Sequence, residues 1–128
     1  MSETKVLVTG AAGRLGRYLW QAWESAGQYD LTLTDVRPIE GTQSRVEVGD
    51  LFDHDFVRRV CTDQDVLVAL AFVPSEEGAF DETGARTDIA MNMQLFAACR
   101  RQGVGRIVYA SSNHATGWNE ETREMPFL

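Results

Sequence analysis

One stretch, Val6-Leu-Val-Thr-Gly-Ala-Ala-Gly-Arg-Leu-Gly16, limits what this chain can fold into more than any other. Lys5 to Thr9 is apolar and β-branched, as in a strand buried on both faces. Gly10, Gly13 and Gly16 follow with the spacing GxxGxxG, and helix formers then run from Leu15 to Ala26 and stop at Gly27. A glycine turn feeding a helix is an anion site, because free N–H groups and the positive end of the helix dipole point at whatever sits there. Side chains at these positions would hold a pyrophosphate away from the backbone. Gly10, Gly13, Arg14, Leu15 and Gly16 are therefore candidate contacts of a dinucleotide. An ordinary glycine turn between strand and helix is the plain alternative.

The next segment narrows the choice. Leu31-Thr-Leu-Thr-Asp35 reads as a second strand, with Asp35 at its carboxyl end about twenty residues past the turn. An acid at that place accepts hydrogen bonds from the adenosine ribose hydroxyls. Its charge repels a 2′-phosphate and favours NAD over NADP, although Arg14 and Arg37 lie close enough in sequence to accommodate that phosphate. Arg45-Val-Glu-Val reads as a short third strand, and Gly49-Asp50-Leu51 at its end is placed to form the floor under an adenine. Asp50 would accept from the exocyclic amine and Leu51 would pack on the ring. Capping of the following helix, about Asp53 to Cys61, is the other use for Asp50 or Asp53.

Asp65-Val-Leu-Val-Ala-Leu70 is a fourth, apolar strand. Leu70 and Ala71 at its end would let backbone approach the ribose and nicotinamide side of the cofactor. A polar loop, Ser75 to Thr83, follows at the end of the sheet where such folds hold substrates, and Ser75 is a candidate contact. About Ala85 to Gln102 reads as a helix with almost no polar face, since Ile89, Met91, Met93, Leu95, Phe96 and Cys99 surround it. A helix apolar all round is covered on both sides, one by the sheet and the other by a further helix or a second copy. Asn92 and Gln94 are its polar exceptions, and Asn92 is a candidate near the cofactor. Arg106 to Ala110 reads as a fifth strand that delivers Ser111-Ser112-Asn113-His114 at its carboxyl end. A Ser–His hydrolase does not fit, because Ser112 and His114 are too close in sequence and no GxSxG elbow is present.

Composition excludes other classes. The 128 residues suit one domain, and 44% of them are hydrophobic, enough for a packed core. A net charge of −7 argues against nucleic acid or an anionic membrane surface as a partner. Cys61 and Cys99 fall in apolar helical segments, which reads as buried free thiols in a reducing, cytoplasmic setting. No Cys/His cluster suggests a metal, and no apolar run spans a bilayer. The expectation is an α/β domain over 1–112, a doubly wound parallel sheet in the order 3-2-1-4-5, with 113–128 as an irregular tail.

With these motifs in place, the chain resembles the extended short-chain dehydrogenase/reductase group, the NAD-dependent epimerase/dehydratase family. The resemblance rests on Thr9-Gly-Ala-Ala-Gly-Arg-Leu-Gly16, Asp35, Gly49-Asp50-Leu51, Asn92 and Ala110-Ser-Ser112. Within that group, Ser111-Ser-Asn-His-Ala-Thr-Gly117 is most similar to the uronate dehydrogenases, which oxidise hexuronic acids with NAD. The resemblance implies a three-layer Rossmann-like fold, NAD as cofactor, Ala110 and Ser111 as further cofactor contacts, and Ser112 as the serine that hydrogen-bonds the reacting oxygen. It also implies Ser75, Ser112, Asn113 and His114 as contacts to a sugar acid.

The family's base is a Tyr assisted by a Lys in Tyr-x-x-x-Lys. Here Tyr18 leads to Ala22, Tyr29 to Leu33 and Tyr109 to Asn113, and the one lysine, Lys5, precedes the first strand. The expectation is therefore the NAD-binding half of such an enzyme, cut before the helix bearing that motif and inactive alone. It would associate with itself through helix 85–102. A stand-alone NAD-binding sensor is the alternative.

Overall fold

A computed structural model describes residues 3–73 and 82–112. The elements follow in the order β1 (Lys5–Thr9), α1 (Arg14–Ala26), β2 (Asp30–Asp35), β3 (Arg45–Val48), α2 (His54–Cys61), β4 (Val66–Ala69), α3 (Glu82–Gln102) and β5 (Arg106–Tyr109). The five strands are all parallel and stand in the order β3-β2-β1-β4-β5. This is the expected sheet, and the crossovers place α1 on one face and α2 with α3 on the other. Asn113 and His114, Ser75 and the tail 113–128 lie outside the described residues.

The period of two along each strand divides the core into two clusters. Val6, Val8, Leu31, Leu33 and Val68 pack against Trp20 of α1. Leu7, Leu67 and Ala69 face the other way, onto Phe56, Val57 and Val60 of α2 and Met91, Leu95 and Cys99 of α3. Each large apolar side chain fully removed from water stabilises the fold by roughly 1.5–3 kcal/mol before the cost of ordering it. β1 lies at the centre of both clusters, which is why its run of Val and Leu shows no alternation.

Caps set where the helices begin and end. Gly27 takes a left-handed conformation, φ 60°, and its N–H closes onto Glu24 O, which ends α1. Asp53 caps α2: its Oδ1 accepts from the N–H of Asp55 at 2.9 Å and of Phe56 at 3.2 Å. α3 starts at Glu82, a few residues before the periodicity predicts. It buries Met91, Leu95, Ala98 and Cys99, while Ile89 and Met93 are each 63% exposed. β5 is an edge strand whose Ile107, Val108 and Tyr109 are all exposed. No helix among the described residues is long and apolar enough to cross a membrane.

Candidate dinucleotide site

The carboxyl ends of β1, β2, β3 and β4 surround a cleft of about 540 Å³. Its lining includes Gly10, Gly13, Asp35, Asp50, Leu51, Leu70 and Ala71, all singled out from the sequence. Thr34, Val36, Arg37, Gly49, Phe72 and Met91 complete it.

Hydrogen bonds to both neighbouring strands fix the glycine turn. Ala11 N–H donates to Thr34 O at 3.1 Å, and Ala12 N–H donates to Asp35 Oδ2 at 3.0 Å. From beneath, the buried Trp20 indole N–H donates to Ala11 O at 3.0 Å. Thr9 O accepts from Leu70 N–H at 3.2 Å, which ties the turn to the end of β4.

The three glycines differ in what they do, and this corrects the expectation that all three make room for a ligand. Gly10 has φ +70°, and a Cβ there would stand 2.7 Å from Ala71 N and Leu70 C. A Cβ on Gly16 would stand 2.5 Å from Gly10 O and 2.8 Å from Ala11 Cα. The chain's own backbone requires these two glycines. Gly13 has ordinary torsions, φ −74° and ψ 170°, and its Cβ would meet only Gly10 O, at 3.2 Å. The ligand-approach argument therefore rests on Gly13, which is the residue preceding α1 and lines the cleft.

Asp35 has two tasks. Its side chain is only 7% exposed. Oδ2 braces the glycine turn through Ala12, and Oδ1 accepts from the Arg37 N–H at 3.0 Å and from Arg37 Nε at 3.3 Å. Arg37 thus sits at the cleft rim with its guanidinium turned onto the acid. Asp50 Oδ1 accepts from Phe52 N–H at 2.9 Å in a local turn, and Asp53 does the helix capping. Of the two uses the sequence left open, Asp50 has the turn and a place in the cleft wall, and the cap belongs to Asp53.

The remaining candidates lie farther out. Arg14 and Leu15 are exposed in the first turn of α1, and Gly16 is buried beneath the turn. Asn92 is buried; its Nδ2 donates to Asp88 O at 2.9 Å, and its Oδ1 has no partner among the described residues. Ala110, Ser111 and Ser112 leave the exposed end of β5, and Ala110 N–H donates to Ala69 O at 3.2 Å.

Two supports come from α3 and were missed in the sequence. Asp88 Oδ1 accepts from Val73 N–H at 3.2 Å and so holds the segment leaving β4. Gln94 Nε2 donates to Leu51 O at 3.0 Å and so holds the cleft floor. An acid and an amide interrupting an otherwise apolar helix were the signal for both.

These residues fit a dinucleotide. No side chain caps the start of α1, and its N-cap residue, Gly13, lines the cleft. Thr34 Oγ1 is buried in the cleft wall without a partner among the described residues. The Asp35 carboxylate, the Gly13 backbone and the apolar wall of Leu51, Leu70 and Met91 supply the three kinds of contact such a molecule needs.

Fold and cleft together define a dinucleotide-binding α/β domain. The chain belongs to the NAD dependent epimerase/dehydratase family, whose model matches residues 6–127, and the cofactor of this family is NAD. It is 33% identical over 124 residues to a uronate dehydrogenase of Pseudomonas syringae pv. tomato, covering 94% of this chain and 44% of that one. The crystal structure of uronate dehydrogenase from Agrobacterium tumefaciens superposes with a TM-score of 0.74 at 31% identity, over 89% of this chain and 42% of that one. A mutant of that enzyme complexed with NAD superposes equally well. The chain thus spans less than half the length of these relatives.

Proposed function

We propose that this chain is the NAD-binding half of an oxidoreductase resembling uronate dehydrogenase, acting on a hexuronic acid or a related sugar. The observation that carries the reading is the Asp35 carboxylate beside the Gly13 turn and the uncapped start of α1. The bound cofactor supplies the hydride acceptor. Gly13 and the α1 N-terminus would hold the pyrophosphate, through backbone N–H groups and the helix dipole. Asp35 would accept from the adenosine ribose, Asp50 and Leu51 would receive the adenine, and Leu70 and Ala71 would line the approach to the nicotinamide half. Asn92, Ala110 and Ser111 would serve that same half.

Ser112 hydrogen-bonds the reacting oxygen, and Ser75, Asn113 and His114 contact the sugar acid. The proton must leave through a Tyr-x-x-x-Lys pair, and these 128 residues hold none. The chain by itself therefore binds NAD without turning substrate over. The exposed Ile89 and Met93 of α3 are the surface through which it associates with a second copy.

Calorimetric titration with NAD and NADP tests the cofactor half of this reading. Asp35→Ala removes a charge-assisted contact worth roughly 1.5–3 kcal/mol, so NAD affinity falls roughly 10- to 100-fold while NADP affinity falls less. The ratio of the two affinities is the readout, because the substitution also loosens Ala12, which affects both cofactors alike. An unchanged ratio overturns the ribose assignment. Hexuronate oxidation by the purified chain, dependent on Ser112, overturns the requirement for the missing pair. Retained NAD affinity together with a natural 14.3 kDa species in cells would point instead to a stand-alone NAD sensor.

A further inference from the structure

Two thiols face each other between α2 and α3, away from the cleft. Cys61 is the last residue of α2, and Cys99 lies in the last turn of α3. Both are fully buried and free, and their sulfurs are 3.5 Å apart, a hydrogen-bonding contact. The proton of one thiol thus points at the sulfur of the other. Thr62, the residue after Cys61, is exposed, and its Oγ1 donates to Arg58 O at 2.8 Å, with Gln102 Oε1 a more distant acceptor at 3.3 Å. Both thiols lie at helix ends, where local opening is cheapest.

We infer that Cys61 and Cys99 form a reversible dithiol–disulfide site, oxidised by a peroxide and joining the end of α2 to α3. The contact lets either sulfur donate to the other. The hydrogen bond from Cys61 lowers the pKa of Cys99 against the effect of its burial, while the same contact and burial raise that of Cys61. Those directions make Cys99 the sulfur that ionises first once the helix end opens, and the thiolate it then forms is the nucleophile. A peroxide suits the site because hydrogen peroxide is small and uncharged, like the water that enters when a helix end opens.

The Cys99 thiolate attacks one peroxide oxygen, the O–O bond breaks, and hydroxide leaves, giving a sulfenic acid on Cys99. Cys61 then attacks that sulfur; the S–S bond forms, the S–O bond breaks, and the Cys61 proton leaves with the oxygen as water. Two thiols are oxidised by two electrons in all, one peroxide is reduced to two waters, and an external thiol reverses the change. The closed loop contains β4 and all of α3 up to its last turn, so the link restrains a large part of the unfolded chain.

The experiment exposes the purified chain to graded hydrogen peroxide under native conditions and quenches with catalase. The expected product has lost about 2 Da, carries Cys61 and Cys99 in one linked peptide, and melts roughly 5–15 °C higher. Dithiothreitol restores both thiols. Cys61→Ser and Cys99→Ser each abolish the link and the rise in melting temperature. A short peptide carrying one free cysteine, added to the same tube, provides the clock. The proposal is overturned if both thiols stay free at doses that fully oxidise that peptide. It is equally overturned by sulfinic acid forming without a link, or by a link that lowers the melting temperature.

Discussion

Gly13→Ala should separate cofactor binding from folding, and its two neighbours supply the controls. Gly10→Ala places a methyl group 2.7 Å from Ala71 N and Leu70 C on a backbone with φ +70°. Left-handed strain of about 1–2 kcal/mol adds to overpacking of about 1–3 kcal/mol, and the neighbours are backbone atoms with nowhere to move. Gly16→Ala meets Gly10 O at 2.5 Å, and the gain in helix propensity, about 1 kcal/mol, offsets part of the same overpacking. Gly13→Ala meets only Gly10 O at 3.2 Å, with torsions any residue adopts. Its loss as a cap, about 0.5 kcal/mol, is balanced by a similar gain from restricting the unfolded chain.

At about 4 °C per kcal/mol, melting temperatures should fall by roughly 8–20 °C for Gly10→Ala and by up to roughly 8 °C for Gly16→Ala, and stay within about 2 °C for Gly13→Ala. NAD affinity, titrated where all three variants are folded, should fall at least tenfold for Gly13→Ala, about 1.4 kcal/mol, because the methyl group lies where the pyrophosphate must approach. Gly13→Ala binding NAD like the parent chain would refute the reasoning. So would a loss of stability equal to that of Gly10→Ala.

Trp20→Phe keeps the ring in the α1 cluster but removes the donor to Ala11 O, leaving a buried carbonyl unpaired. The expected cost is about 1–3 kcal/mol, read as a lower urea midpoint, and an unchanged midpoint would show that the indole N–H is dispensable. Glu24 titrates in the opposite sense to a simply buried acid. Burial works to raise its pKa, but hydrogen bonds from the Ser44 and Thr42 hydroxyls and from the Ser44 and Gln43 N–H groups outweigh that and hold it below the ordinary value of 4.5. A carboxyl lowered on folding contributes stability that is complete above 4.5 and lost as pH falls through the lowered folded value. Glu24→Gln should therefore flatten the acid side of the stability profile, and parent and variant losing their urea midpoints in parallel below pH 4.5 would contradict this.

The sheet was legible in the sequence because each strand is bounded by its own turn chemistry and fills its pattern of two. Lys5–Thr9 reads as central because both its faces are apolar, and Asp35 reads as a site residue because it ends a strand beside the glycine turn. What escaped notice came from residues whose partners are distant in sequence. Asp88 and Gln94 carry no sequence signal of their partners, yet one holds Val73 and the other Leu51. Met91 enters the cleft wall because α3 packs back against β4, and Phe72 because it follows Leu70 and Ala71 out of β4. The glycines were assigned a common purpose by their spacing, although backbone approach inside the turn governs Gly10 and Gly16. Spacing records that a Cβ is excluded and says nothing of which atom excludes it.

The way the cleft is held also bears on what half of such a fold can do. Its turn is braced by β2 through Thr34 and Asp35, by α1 through Trp20 and by the end of β4 through Leu70. Its floor and the β4 exit are held by Gln94 and Asp88, so every brace described for it lies between Thr9 and Gln94. Ser111 and Ser112, in contrast, leave an edge strand whose residues are exposed along its whole length. The braces of the cleft thus lie within β1 to α3, whereas the end of β5, where Ala110 and Ser111 are proposed to meet the cofactor, has β4 on one side and no strand on the other among the described residues. Precise placement of a reacting oxygen needs rigid support on both sides, since a misplacement of about 1 Å is enough to lose roughly a hundredfold in rate. NAD affinity should survive substitution of Ser112 unchanged, and any turnover gained with a complementing chain should be accompanied by burial of Ile107, Val108 and Tyr109.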